Sequence, residues 1–473
     1  MTAVPQDDTA ARTRSGDAAV ASTLALASFI VTFDITAVVV AMPVIKAELA
    51  LDVSGFAWVM DAYSLAFVVL LTSAGVLADR HGRRRALLFG NLVFVAASVA
   101  CGLATDAATL YAARAVQGVG SAFVICGCLS LLSERFREPA ARGRAFALVG
   151  TVTGVAMAAG PAGGGLITEF FGWRWVFFIN IPICLFIALA VPRLVAESRD
   201  PSARAIDYLG VATLTLALTS LVWLLLHGTE IAGFDLPLWA AIAIPAGAGV
   251  AFVLSQTLRA EPMLELSLMR DPAFLGMCLV PFALSIGYWS LLVYLPLFLE
   301  TGLGQTLASI SWLMLAATLP MLLLPFVGAR LLLAMTPRWF FSIGLVCVAG
   351  GCGVLAVAAR EGSLALAIGG MLACGTAAAA LNAQISSVIM TFAPRERAGT
   401  VSAIATILRQ SGFAAGIAVL GAVLRQSGGE RLAADPEPFA ALFVAAAGAA
   451  LVAGLAVAAL LPSAEKRAVE ATG

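Results

Sequence analysis

Long, nearly unbroken apolar runs dominate the chain, and short polar stretches separate them. A membrane-spanning helix needs about 20 mostly apolar residues. Hydrocarbon offers backbone N–H and C=O groups no partner, so each long run is predicted to be a helix. The pattern predicts helices over 20–45, 56–78, 86–105, 108–132, 142–168 and 174–193. Two more follow at 206–227 and 237–258, then six at 272–299, 304–333, 338–359, 362–391, 398–424 and 438–461. The expectation is fourteen spans by the 20-residue criterion.

The polar stretches test that count, because cytoplasmic connections carry an excess of arginine and lysine. If residues 1–19 are a cytoplasmic leader, every second connection should be basic. Arg80, Arg83, Arg84 and Arg85 fit, as do Arg135, Arg137, Arg142 and Arg144, then Arg193, Arg199 and Arg204. Arg259, Arg270, Arg330, Arg338, Arg395, Arg397, Lys466 and Arg467 continue the series, and Arg12 and Arg14 lie in the leader. The opposite connections hold Lys46, Arg174, Arg360, Arg425 and Arg431. That is about 21 cations on one side against about 5 on the other, a bias that fixes orientation by this rule. One helix more or fewer would scramble the alternation.

The predicted class is therefore an all-α polytopic membrane protein of a bacterial cell (inner) membrane, with both termini cytoplasmic. A weak internal repeat refines it. Pro139–Gly143 before the fifth predicted helix resembles Pro394–Ala398 before the thirteenth, and Gly75 and Arg80 are echoed by Gly328 and Arg330. Two like-oriented halves are the plan of a rocking transporter. They are placed at 20–193 and 272–461, each a six-helix bundle, with 206–258 as a two-helix insert and 462–473 as a cytoplasmic tail.

Composition narrows the classes further. Hydrophobic residues make up 61% of the chain and charged ones 12%, where soluble domains carry about 25% charge. Formal net charge is zero, so nothing favours nucleic acid as a partner. The first apolar run is too long for a signal peptide, contains Asp34 and lacks a cleavage pattern, so it is read as a retained helix. The eight cysteines lie in apolar stretches without zinc spacing and are read as buried small hydrophobes. No metal and no cofactor is expected.

The sharpest motif runs from Gly75 through Ala78, Asp79, Arg80, His81, Gly82, Arg83 and Arg84 to Arg85, between the second and third predicted helices. Cations there suit a helix C-terminus and the inner membrane face, but neither explains Asp79 among them or the flanking glycines. Gly82 permits the turn. Asp79 can pair with an arginine or with a neighbouring helix N-terminus, forming a charge lock that breaks when two halves rock. The segment closely resembles the signature loop of the major facilitator superfamily.

Further motifs resemble that superfamily's fourteen-helix drug/proton antiporter branch. Phe33-Asp34-Ile35-Thr36 running to Ala41-Met42-Pro43 is similar to its first-helix motif. Arg114, Gln117, Gly118, Gly120 and Ala122 match its fourth-helix arginine–glutamine motif. Gly160, Pro161, Gly164 and Gly165 resemble the fifth-helix motif associated with antiporters, and Trp173-Arg174-Trp175 and Asn180-Ile181-Pro182 follow in order. Val39 stands where the branch usually has asparagine, making the cavity less polar, and Ala147 and Ala156 replace usual glycines while staying small. The resemblance covers nearly the whole chain. It implies multidrug efflux, proton antiport, antibiotic resistance and a role for Arg114 in tuning proton release.

The residues bear physical readings of their own. Asp34 lies about 20 Å along its helix from the leader end at 1.5 Å per residue. A carboxylate there costs about 2.5–3.5 kcal/mol on insertion scales, so it should face the interior and have a use. It can hold a proton when occluded and release it when wetted or approached by a cation. Arg114 differs from it in depth by about 6 Å, so Asp34 is its expected partner, with Gln117 sharing the network. Asp61, near the outer end of the second helix, is read as a second proton site or vestibule charge reaching interfacial water. Ala156, Gly160 and Gly164 share one helix face, where small residues allow close helix approach, and Pro161 adds a bend. That face, with Gly165, is the candidate hinge. The second half holds Asn382, Gln384, Arg409 and Gln410 but no carboxylate well inside the bilayer. The candidate substrate cavity is drawn from Asp34, Gln117, Asn382 and Gln384.

The function these features predict is a proton-coupled antiporter exporting small lipophilic or cationic compounds by alternating access, working as a monomer in the lipid bilayer. An exporter dedicated to one endogenous metabolite or antibiotic, without proton coupling, is the alternative. A lipid-modifying membrane enzyme is remote: His81 and His227 are the only histidines, and no paired carboxylates sit at an interface. Neither lysine lies in a phosphate-cradling glycine loop, so no ATP-driven step is expected.

Overall fold

A computed structural model describes residues 6–200, 206–228, 230–231, 234–235, 237–259, 262, 266–389, 391, 398–428 and 437–461. Arg204, Arg395, Arg397, Arg431, Lys466 and Arg467, the tail from 462, and the side chains of Arg12 and Arg14 lie outside the described residues. The apolar runs fold as helices α1 (Gln6–Glu48), α2 (Val53–His81), α3 (Arg83–Gly102), α4 (Ala107–Arg135) and α5 (Pro139–Phe171). Next come α6 (Arg174–Leu194), α7 (Tyr208–His227), α8 (Leu238–Leu258) and α9 (Pro272–Gly302). The bent α10 has arms Leu307–Leu323 and Val327–Ala334. Finally come α11 (Pro337–Glu361), α12 (Leu364–Ile389), α13 (Ala398–Gln426) and α14 (Glu437–Leu460). Among the described residues thirteen helices are long and apolar enough to cross a membrane, or fourteen when the bent pair is counted as one span.

Three elements depart from the predicted pattern. Helix α1 starts at Gln6, ahead of its apolar run, so the helix extends beyond the predicted span. Span α10, predicted as one helix, bends by 58°, because Pro325 opens its second arm and carries no N–H to continue the ladder. Between α7 and α8 lies a two-residue antiparallel ladder, Glu230–Ile231 with Phe234–Asp235. Helix starts are capped as sequence chemistry suggests: Asp52, Asp106, Asp207 and Asp271 each accept a hydrogen bond from a first-turn amide. Asp207 also accepts from Arg259 at 2.9 Å and Gln256 at 2.7 Å, fastening α7 to α8.

Helices α7 and α8 pack on each other, and α7 also rests on α2 and α13. In their most apolar stretches only 22% and 17% of residues are buried, against 78% in α1. Helices apolar all round but so little covered by protein must face lipid, so this pair stands at the periphery as an insert.

Among the described residues, the apolar contacts between the two bundles lie toward one end. One apolar cluster runs the length of α9–α14 and crosses into the first bundle through residues 33–45 of α1, 51–69 of α2 and 173–177. A separate cluster, from Val20 in α1 to Val195 after α6, fills the arginine-rich end of α1–α6, and none of its buried members lies beyond Val195. Contacts between bundles run from α2 to α13, α5 to α10 and α1 to α9. The molecule is thus closed at the end remote from the arginines and divided at the arginine-rich end.

Helix α5 reaches α1 through the small-residue stripe. A Cβ on Gly160 would fall 1.9 Å from Thr36 Oγ1, and one on Gly164 would fall 2.5 Å from the Ala37 Cα. Thr36 Oγ1 lies 3.3 Å from the Ala156 carbonyl oxygen, as a donor to it. Gly165 faces α10 instead, where a Cβ would meet Ser311. These contacts leave no room for side chains. Gly164→Ala is expected to destabilise the protein by about 1–3 kcal/mol through overpacking, read as a lower melting temperature in size-exclusion thermal assays. Gly150→Ala, with nothing within 4 Å of the added carbon, should leave it unchanged or slightly raised.

Candidate functional site

Asp34 sits inside the first bundle, where α1, α3, α4 and α6 converge. Its carboxylate accepts from Arg114 Nη1 at 2.8 Å, Gln117 Nε2 at 2.9 Å and Asn180 Nδ2 at 2.7 Å. Every group bonded to it is a donor. Asp34 and Arg114 are both 0% exposed, and breaking such a pair typically costs about 3–5 kcal/mol because one charge is stranded. Arg114 also donates to the Gln117 Oε1 at 2.6 Å and, through Nε, to the Val59 carbonyl of α2 at 3.1 Å. Its guanidinium lies 4.4 Å from the Tyr63 ring centroid, a cation–π contact.

A second layer holds the donors in place. Ser98 Oγ accepts from Gln117 at 2.9 Å and from Asn180 at 3.2 Å, and the Tyr63 hydroxyl lies 2.7 Å from Ser121 Oγ. Asn180 owes its position to Pro182. Proline has no N–H for the Phe178 carbonyl, and α6 breaks there into Arg174–Phe178 and Asn180–Leu194. Arg114 Nη2 and Asn180 Oδ1 have no hydrogen-bond partner among the described residues. The cluster therefore keeps one donor and one acceptor available for rearrangement.

Asp34 and Gln117 had also been expected on the wall of a substrate cavity. Both are fully buried, because Arg114, Tyr63 and Asn180 close over them, so neither lines a cavity in this conformation. Asn382 and Gln384 lie apart from them on α12, both half-buried. Asp61 departs from expectation too. Its side chain does not reach interfacial water: it is 0% exposed, and neither carboxylate oxygen has a partner among the described residues. One helix turn and more before it, Ser54 bonds the Leu226 carbonyl of α7 and Phe56 stacks on Tyr294 of α9. The carboxylate is sealed where α2 meets the insert and the second bundle.

The Gly75–Arg85 segment is fastened entirely within the first half. Arg83 pairs with Asp79 at 2.8 Å and Glu134 at 3.4 Å. Glu197, beyond α6, accepts from the Arg84 and Arg85 amides at 2.9 and 3.2 Å, capping α3. The Arg83 amide donates to the Ser198 carbonyl and the Asp200 amide to that of Asp79, 2.9 and 2.8 Å. Gly82 has φ +118°, and a Cβ there would fall 2.7 Å from the Glu197 carboxyl carbon, so the turn needs glycine twice over. Arg80 is exposed, with no ion-pair partner among the described residues. Gly75 is loosely packed, its nearest prospective neighbour being Cys126. At the opposite end Glu48 accepts from Trp173 at 2.7 Å and Arg174 at 2.5 Å, tying α1 to the start of α6.

Sequence reasoning assigned no role to Asn180, Ser98, Tyr63, Ser121 or Glu197. Asn180 carried a signal, as a polar residue just inside a span and followed by proline. The serines and the tyrosine look like ordinary helix residues, and Glu197 looks like loop charge.

The sequence profile of the Major Facilitator Superfamily matches residues 24–416 and again 277–473. Multidrug resistance protein Stp of Mycobacterium tuberculosis is 32% identical over 405 residues, 84% of this chain and 74% of that protein. Multidrug efflux pump LfrA of Mycolicibacterium smegmatis is 28% identical over 85% of this chain and 79% of its own length. A probable actinorhodin transporter of Streptomyces coelicolor is 30% identical over 82% and 69%. A crystal structure of a peptide transporter POT in complex with sulfate superposes with a TM-score of 0.70 at 16% identity, covering 93% of this chain and 94% of the other. At that identity the likeness is one of fold. With fourteen spans, two bundles and a buried charge cluster in the first, the chain belongs to the Major Facilitator Superfamily, a multi-pass membrane protein of a transporter family.

Proposed function

We propose that this chain is a proton-coupled exporter that moves small lipophilic compounds out of the cytoplasm by alternating access. The observation that carries this reading is the fully buried Asp34–Arg114 pair, near the middle of a span in a fold whose halves make their apolar contacts toward one end. A proton reaching Asp34 removes the negative charge that holds Arg114. The guanidinium must then turn to its remaining acceptors, the Gln117 oxygen and the Val59 carbonyl. Because Asp34 ties α1 to α4 through Arg114 and Gln117, and Arg114 ties α4 to α2 through Val59, the protonation state of one carboxylate is coupled to how three helices pack.

The arginine-rich end is the cytoplasmic one by the positive-inside rule, which makes this conformation open to the cytoplasm. The relatives named for multidrug efflux support export. Of the lipophilic and cationic substrates expected, the geometry favours the lipophilic. Among the described residues Asp34 is matched by Arg114 and Asp61 is sealed, so neither presents a free carboxylate to a cation. Dedication to one compound is the second reading, favoured by the relative described as a probable actinorhodin transporter and by the apolar, buried Val39.

Rocking requires a latch at the open end. The Asp79–Arg83 pair and the Glu197 cap keep the α2–α3 turn rigid, while Arg80 is exposed. In the opposite conformation this turn meets the second bundle, and Arg80 becomes its contact. Asp61, between α2 and the second bundle, is a candidate second proton site, used when that junction opens. The stripe at Gly160, Pro161 and Gly164 serves as the pivot of α5 on α1.

Asp34→Asn is expected to lower the melting temperature, because Arg114 loses its counter-charge, while keeping the elution profile of a folded protein, and to lose substrate-driven proton movement in proteoliposomes. Coupled transport at wild-type level would reject Asp34 as the carrier, and identical export with and without a pH gradient in the wild type would reject coupling itself. Asp79→Asn is expected to slow turnover up to about fivefold, matching an ion pair worth up to about 1 kcal/mol. Substrate affinity should stay within about twofold; unchanged turnover would remove Asp79 from the latch.

A further inference from the structure

Arg409 belongs to no feature described so far. It lies eleven residues inside α13, which starts at Ala398, or about 16 Å along the axis. That is deep within the hydrocarbon, where an arginine normally pairs with a carboxylate or faces water. Among the described residues Arg409 makes no ion pair and no side-chain hydrogen bond. The residue is exposed in this conformation. A charged side chain at that depth needs water or an anion beside it, which places Arg409 on a solvent-reachable wall and not against lipid.

The adjoining wall is aromatic. Gly412 and Gly416, on the same face of α13 as Arg409 by helical spacing, press against α9. A Cβ on Gly412 would fall 2.6 Å from the Phe282 carbonyl and 3.1 Å from its ring, and one on Gly416 would meet Ile286 and Ser290. Along that stretch α9 carries a π-helical turn, Ser285–Trp289, an irregularity that concentrates at functional sites. Phe282, Ile286 and Trp289 are half-buried there. The Trp289 indole nitrogen and the Ser285 hydroxyl are buried donors without partners among the described residues. A free cation, two unsatisfied donors and two aromatic rings are thus gathered on neighbouring stretches of α9 and α13, with no carboxylate paired to them among the described residues.

We infer that Arg409, with Phe282, Ser285 and Trp289, forms the binding site for a lipophilic aromatic anion, the guanidinium holding the negative group and the aromatic stretch of α9 the ring. This deepens the exporter reading and rests on it. It assigns the charge of the substrate, which the first half leaves open because its own interior pair cancels. The recognised chemistry is a carboxylate, sulfonate or phenolate on a flat apolar body.

The test uses the purified full chain with three naphthalene probes of one shape: 2-naphthoate, 2-naphthamide and a naphthyl trimethylammonium salt. Binding is read by quenching of tryptophan fluorescence and by thermal shift, and transport by efflux from proteoliposomes under a pH gradient. Wild type is expected to bind the naphthoate at least about tenfold more tightly than the amide, the scale of a charge-assisted hydrogen bond. Arg409→Gln should remove that preference and leave amide binding within about twofold. Arg409→Lys should keep part of it, and serves as the reporter if the glutamine variant fails to fold. Equal wild-type affinity for anion and amide overturns the inference, as does an equal loss of both in Arg409→Gln. If neutral or cationic probes are exported without preference for the anion, the Arg409 assignment fails and the exporter reading stands. If no probe moves under any gradient while the anion preference in binding persists, the exporter reading fails and the anion site stands.

Discussion

A single ion pair without solvent, Asp34 with Arg114, sets terms that the first bundle must meet. Two charges removed from water are tolerated only when their attraction and further hydrogen bonds offset a desolvation penalty of several kcal/mol per ion. Here the offset comes from three further helices and from Arg114's own: Val59 and Tyr63 on α2, Ser98 on α3, Asn180 on α6, and Gln117 on α4. None of these can shift far without stranding a charge. The pair therefore organises the bundle as well as offering a place for a proton, and the two roles cannot be separated physically. Any change in the protonation of Asp34 is a change in what holds five helices together.

The packing around the pair follows from the same demand. Helix α1 must bring Asp34 to Arg114 while its other side lies against α5, so α5 presents no side chains there: Gly160 and Gly164 touch Thr36 and Ala37, close after Asp34 in sequence. Helix α5 then continues to α10 of the second bundle through Gly165. A short chain of contacts runs from the carboxylate through two glycines to the other half. In the proposed cycle, close contact at one end and separate apolar cores at the other would let the halves rotate about this seam. Neither core needs to open.

Much of this was legible in the sequence because the bilayer imposes few choices. Backbone must be internally satisfied, so apolar runs become helices. Cations must lie on one face, so Arg80 to Arg85 and their successors locate the turns. Asp34 and Arg114 were legible as partners because charges at matched depth have nowhere else to go. What stayed hidden depends on rotation and register instead of depth. Asp61 sits near a helix end, yet α2 turns it into the protein, and it is sealed. Ser98 and Asn180 are weakly polar residues whose importance arises only when α3 and α6 place both beside one carboxylate. Glu197 lies far from Arg84 in sequence, and only the return of the chain after α6 brings it to the α3 N-terminus. The bend in α10 was within reach, since Pro325 is visible, but hydropathy alone does not register it.

The distribution of charge between the halves bears on how the cycle is driven. In the first half the interior pair cancels; in the second, Arg409 has no ion-pair partner among the described residues. An anion held at Arg409 and carried outward moves one negative charge out, equivalent to one positive charge inward. If one proton returns through Asp34, two positive charges enter per cycle. Each is worth about 2.3 kcal/mol per 100 mV of membrane potential, so the potential contributes about 4.6 kcal/mol per 100 mV, apart from the pH gradient. A neutral substrate would draw on half of that and a monovalent cation on none. A cavity that favours anions in a proton-exchanging exporter thus uses the inside-negative potential most fully, and the unpaired arginine in the second half complements the paired one in the first.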